Sequence, residues 1–199
     1  MDYRGSHRAR IPNTAIELAK RLGASYVNAY ISSSDAWTDI TPNDNMTFGE
    51  RIQVQEFLLD EMEILLDRVS GMTNFVIDKT PIDVLAYLLA NIDGTTSSIF
   101  DSRGQAFINR CISLTAKNFT HYVVIPPGIP PASDIGRMGK VFNSIMYQES
   151  ITDVIIGAYY RYFETLRSSG SKTLILVPDS ITDLTARISF IVTSIKAVQ

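Results

Sequence analysis

Phe75-Val76-Ile77-Asp78-Lys79-Thr80-Pro81-Ile82-Asp83-Val84-Leu85-Ala86-Tyr87 is the stretch on which the fold reading turns. Three consecutive apolar residues rich in β-formers end abruptly in a carboxylate and an ammonium. Continuous rather than alternating apolar character fits a parallel strand covered on both faces. Thr80-Pro81-Ile82-Asp83 then opens a helix, with proline at its first position, where the missing N–H costs nothing. A strand that runs into a helix through a short polar turn is the unit of an α/β fold.

The same unit recurs along the chain. Tyr122-Val123-Val124-Ile125 and Leu174-Ile175-Leu176-Val177 are further continuous apolar runs, and Tyr26 to Ile31 is a more mixed candidate for an edge strand. A helix is expected from Thr47 to about Ser70. Thr47 and Glu50 have the spacing of a capping box, Leu58, Met62, Leu65 and Val69 recur at helical spacing, and Gly71 supplies the stop. Ser180 and Asp183 repeat the capping logic before a last helix. A first helix is expected over roughly Pro12 to Leu22. It should follow a strand, yet only Met1 to Arg4 precede the turn, so that strand is a stub or the sheet is built without it. Pro126-Pro127-Gly128-Ile129-Pro130-Pro131 reads as a stiff loop inside one domain.

Composition bounds the chemistry. A chain of 199 residues is little more than one average domain, so a single domain over 1–199 is expected. The 45% hydrophobic and 20% charged shares, with mean hydropathy +0.07, exclude disorder by composition. The formal net charge of −3 advertises no global basic surface for nucleic acid or anionic membrane. Cys111, the single cysteine, excludes an internal disulfide framework, and His7 and His121 alone exclude a multi-histidine metal site. No apolar run approaches the ~20 residues of a membrane span, and Met1-Asp2-Tyr3-Arg4 is no signal peptide. A soluble cytoplasmic protein is the expectation, in host cytoplasm if the chain is viral. Oligomerisation stays open.

Gly5-Ser6-His7-Arg8-Ala9-Arg10-Ile11-Pro12-Asn13, continuing into a helix that ends in Leu22-Gly23, is similar in register to the phosphate-binding loop and first helix of P-loop nucleoside and nucleotide kinases. The segment Asp78 to Tyr87 resembles the "Asp-Arg-x-Pro-x-Asp-x-x-Ala-Tyr" strand end of that family, notably of its bacterial and phage members. The resemblance implies a three-layer α/β/α domain with a parallel sheet of four strands and a truncated or missing first strand. It implies phosphoryl transfer from ATP, with Mg²⁺, to a nucleotide, a nucleoside or a modified base in DNA. Carried over by position, Asp78 is base or metal partner and Lys79 stands for the arginine. Gly5, Ser6, Arg8, Arg10 and Asn13 form the anion loop. Asp134-Ile135-Gly136-Arg137 resembles the start of the lid, where Arg137, with Lys140, would be the cation over the transferred phosphate.

The loop departs from the family pattern at three diagnostic positions. The second glycine is Arg10, the lysine is Ile11 and the hydroxyl is Pro12. Backbone N–H groups, an ammonium and a magnesium ligand are what those positions supply, so ordinary Mg-ATP binding should be weakened. Two alternatives follow. The chain is a kinase with an impaired loop, or an inactive kinase-fold protein that serves as a binding or assembly module. At single positions the bland readings are a basic turn at Gly5 to Asn13, a turn cap at Asp78 and a solvated helix face at Arg137. The aromatic group Tyr159, Tyr160, Tyr162 and Phe163 reads as a core and surface stripe, and Glu56, Asp60, Glu63 and Asp67 as a helix's wet face.

Overall fold

The computed structural model describes residues 10–29, 47–90, 102–126, 145–168 and 170–197. Ten elements follow one another: α1 (Arg10–Leu22), β1 (Ser25–Val27), α2 (Phe48–Val69), β2 (Phe75–Ile77), α3 (Pro81–Leu89), α4 (Ser102–Asn118), β3 (His121–Val124), α5 (Ile145–Arg167), β4 (Thr173–Leu176) and α6 (Leu184–Ala197). The described chain is thus mostly helical, with short parallel strands.

Local sequence explains most boundaries. Thr47 and Glu50 close the expected capping box on α2: the Glu50 carboxylate takes the Thr47 N–H at 2.7 Å and the Thr47 hydroxyl takes the Glu50 N–H at 3.3 Å. Thr80 and Asp83 do the same for α3, with Pro81 at its first position. Asp183 caps α6 by accepting the Ala186 N–H at 2.9 Å. α1 ends at Gly23, whose φ of +64° is a left-handed conformation that suits glycine. There the Ala24 N–H returns to the Ala19 carbonyl at 2.9 Å, and the chain turns back directly into β1.

β1 pairs in parallel with β2 in the register Tyr26↔Val76, and β3 pairs in parallel with β4 in the register Tyr122↔Leu174. Among the described residues these are two separate two-stranded sheets, not the continuous four-stranded sheet expected from sequence. The apolar runs mark the strands correctly, but a run of apolar residues carries no information about which neighbour its backbone bonds.

Side chains along the strands alternate between two apolar clusters, as a period of two requires. Phe75 and Ile77 of β2, Tyr122 and Val124 of β3, and Leu174 and Leu176 of β4 join the cluster built on α2, α3, α4 and α5. Val76, Val123 and Ile175 join the other, with Leu18 of α1 and Ile191 and Ile195 of α6. The Phe75 and Phe119 rings meet edge to face at 5.9 Å, which ties the start of β2 to the turn that leads into β3. The larger cluster includes Leu59, Leu85 and Cys111, all fully buried. Burial raises the Cys111 thiol far above its ordinary value, which leaves it inert.

The acidic residues of α2 form no simple wet face. Glu56 pairs with Arg103 of α4 at 2.5 Å, Asp60 with Arg110 at 2.6 Å, and Glu63 with Arg110 as well. The sequence pattern correctly puts these carboxylates on one side of α2, but it does not show that α4 brings two arginines against them. Of the aromatic group, Tyr159 is buried, Tyr162 and Phe163 are half-buried and Tyr160 is exposed, as a stripe shared by core and surface requires.

Candidate functional site

β2 ends at Ile77, and the next residue, Asp78, lies on the same face as Val76, toward α1. α1 packs against β1 and β2. Because α1 turns directly into β1 through Gly23, it runs antiparallel to that strand. Its N-terminus therefore points toward the C-terminal ends of the strands, the end at which Asp78 sits. In open parallel α/β arrangements this is where ligands bind.

Both oxygens of the Asp78 carboxylate accept hydrogen bonds from the neighbouring strand and its exit. The Ala29 N–H donates to Oδ1 at 2.8 Å and the Tyr26 hydroxyl donates to Oδ2 at 3.2 Å. The phenol is pushed up to about 12, by burial first and then by the charge and hydrogen bond of Asp78. It stays a neutral donor throughout the neutral range. Sequence reading found Asp78 but not its partners, because the partnership depends on the β1–β2 register across 52 and 49 residues of chain. Lys79 is exposed, with its Nζ 5.7 Å from the centre of the Tyr87 ring.

Next to this pair lies a polar knot at the start of α3. The Asp83 Oδ2 accepts the Thr80 N–H at 2.7 Å and the Thr80 hydroxyl at 2.9 Å. The Thr80 Oγ1 in turn takes the Ile82 N–H at 3.2 Å and meets the Tyr159 hydroxyl of α5 at 2.8 Å. Burial raises the Asp83 carboxyl above its ordinary value, opposed by the Thr80 hydrogen bonds and by the charge of Lys79. The first N–H groups of α3 are thus occupied by the cap and are not free anion donors.

Only part of the site expected from sequence falls on described residues. Gly5, Ser6, Arg8, Arg137 and Lys140 lie outside them, and Arg10 is described only as backbone at the first position of α1. Asn13 is exposed in the first turn of α1. It lines a shallow cavity of about 330 Å³ between α1 and α6 with Ile16, Glu17, Lys20, Leu184 and Ile188. No described contact joins it to Asp78. The structure brings Asp78 to Tyr26 and Lys79 to Tyr87, and it sets Asn13 beside α6.

Among the described residues no three His, Cys, Asp or Glu side chains are grouped so as to hold a metal ion, and no helix is long and apolar enough to cross a membrane. The donor set fits a magnesium nucleotide poorly: both Asp78 oxygens already accept from within the chain, and Ile11 and Pro12 offer neither ammonium nor hydroxyl. Compared with family models, with curated proteins and with solved structures, the chain matches none.

Proposed function

We propose that the surface at the C-terminal ends of β1 and β2 binds a phosphorylated ligand, and that the chain is a kinase-like protein of the P-loop nucleoside and nucleotide kinase type. The single observation that carries this reading is the placement of Asp78 and Lys79. A carboxylate held in one orientation and a cation stand directly after a parallel strand, at the end toward which the N-terminus of α1 points. In this reading the two strand pairs belong to one layered α/β/α domain. The alternation of strand side chains between a cluster with α1 and α6 and a cluster with α2 to α5 supports that layering.

The activity proposed is phosphoryl transfer from ATP to a nucleotide, a nucleoside or a modified base in DNA. ATP would supply the phosphoryl group, with Mg²⁺ held only weakly because Ile11 and Pro12 offer neither ammonium nor hydroxyl, so more of the charge neutralisation would fall to the chain's own cations. The chain's own part is positioning. Asp78 would orient or deprotonate the acceptor hydroxyl, Lys79 would offset phosphate charge, and Arg10 and Asn13, with Gly5, Ser6, Arg8 and Arg137, would hold the donor. Lysine in place of arginine keeps the charge and loses the fork geometry.

A second reading is favoured by one specific observation. Both Asp78 oxygens are engaged inside the chain, as in a strut between strand ends, which suits a binding or assembly module that has left phosphate chemistry behind. Calorimetry of ATP with and without magnesium, followed by a transfer assay over a panel of nucleosides and nucleotides, separates the two. The kinase reading expects weak Mg-ATP binding, poorer than the ~1 μM to 1 mM range of common substrate constants. It also expects turnover that falls on the order of 10²-fold or more in Asp78→Asn. No nucleotide binding in either condition leaves the module reading standing.

A further inference from the structure

The geometry points to Tyr26 as a positioning residue for the Asp78 carboxylate. This inference rests on the reading of Asp78 as the group that meets the acceptor. β1 and β2 run in the register Tyr26↔Val76, so the Tyr26 ring starts two residues behind Asp78 on the adjacent strand and on the same face. Its hydroxyl reaches forward to Oδ2, while the Ala29 N–H takes Oδ1. Two donors on two different oxygens fix the plane of a carboxylate, whereas one donor leaves it free to turn about that bond. The backbone donor is set by the strand exit. Tyr26 is therefore the side chain that decides whether Asp78 keeps one rotamer and one set of free lone pairs. Its phenol remains protonated to about 12, so the donor does not switch off in the neutral range.

The test uses the full chain with Tyr26→Phe, which keeps the ring and removes only the hydroxyl. In the transfer assay, kcat should fall about tenfold, as loss of orientation in a reacting pair does. KM for ATP should stay unchanged, and the melting temperature should stay near that of the parent. Three-bond side-chain couplings of Asp78, measured by NMR, should show a single χ1 rotamer in the parent and averaging in Tyr26→Phe. A single rotamer in both proteins overturns the inference, and so does a variant with full kcat. If the parent transfers no phosphate to any acceptor, the kinase reading fails. The couplings then decide the positioning claim alone, with averaging in the variant upholding it.

Discussion

The Tyr159 hydroxyl of α5 lies 2.8 Å from the Thr80 Oγ1 that caps α3. The single Thr80 hydroxyl proton is directed at Asp83 Oδ2, so Tyr159 is the donor in this contact. Two helices are thereby joined through the cap of one of them, directly behind the Asp78-Lys79 pair. The Tyr159 ring also packs on Tyr122 of β3, with centroids 5.2 Å apart.

Removing the two partners of that bond should have unequal costs. Tyr159→Phe keeps the ring contact and leaves Thr80 with its other two bonds, so it should cost about 1 kcal/mol, a typical net hydrogen bond. Thr80→Val removes the cap and leaves the Tyr159 hydroxyl and the Ile82 N–H without their acceptor. About 2 kcal/mol or more is expected from a lost cap plus orphaned buried polar groups. Urea unfolding of both variants checks the order, and Tyr159→Phe as the costlier change would refute it.

Asp83 makes the same knot sensitive to pH. Burial raises its carboxyl in the folded chain above the unfolded value of 3.8, so the folded state holds that proton more tightly. The stability this contributes is fully present below about pH 4 and is lost as pH rises through the folded value. Asp83→Asn keeps an acceptor for the Thr80 N–H and removes the titration. The parent should therefore lose ground against the variant between pH 4 and pH 7 in paired melting curves. A parent that gains ground over that interval would mean that the Thr80 hydrogen bonds and Lys79 outweigh burial.

What could be read from sequence divides along the distance over which each feature is encoded. The Thr47-Glu50 and Thr80-Asp83 caps lie within four residues, and both appear in the structure as the residue types demand. β2 falls on the expected strand, and β3 and β4 lie within one residue of theirs. α4 carries a legible signal in Phe107, Ile108, Cys111 and Ile112, buried at helical spacing, which polar neighbours such as Arg103, Gln105 and Arg110 obscure. The Tyr26 bond to Asp78 and the arginines of α4 against α2 span 47 to 52 residues. No local pattern encodes them, because they depend on register and helix packing rather than on propensity.

Lys172 shows how such a long-range contact can be tested. Its Nζ donates to the Ala116 carbonyl at 2.5 Å and to the Phe119 carbonyl at 2.6 Å, closing the C-terminal end of α4 from the start of β4. A cation at a helix C-terminus meets orphan carbonyls and the negative end of the helix dipole. Burial lowers the Lys172 ammonium from its ordinary value, so the site holds the charge at some cost. Lys172→Met keeps the stem and removes the donor. A loss of about 1 to 2 kcal/mol is expected, from hydrogen bonds to a charged group. An unchanged denaturation midpoint would mean that water serves those carbonyls equally well.

The two strand pairs make a prediction at single backbone groups. In a parallel pair each strand bonds its neighbour through alternate residues. Ser25 donates to the Asn74 carbonyl, and in the register Ser25↔Phe75 the amides of Val76 and Asp78 face β1. Those of Phe75 and Ile77 face the opposite edge. On β3, Thr173 donates to Thr120 and Val177 to Val124, so the amides of Tyr122 and Val124 face β4, whereas those of Val123 and Ile125 face away. Phe75, Val76 and Ile77 are all only half-buried, although their residue types suit a strand covered on both faces. Hydrogen exchange read residue by residue should therefore protect Val76, Tyr122 and Val124 well beyond Ile77, Val123 and Ile125, since exposed or unpaired amides open at low free energy. The contrast should appear within each strand, so global stability cannot produce it, and in β2, where all three residues are half-buried, burial does not produce it either. Equal protection at Ile77 and Val123 would show that a further strand bonds β2 and β3 on their inner edges, and would turn the two pairs into one sheet.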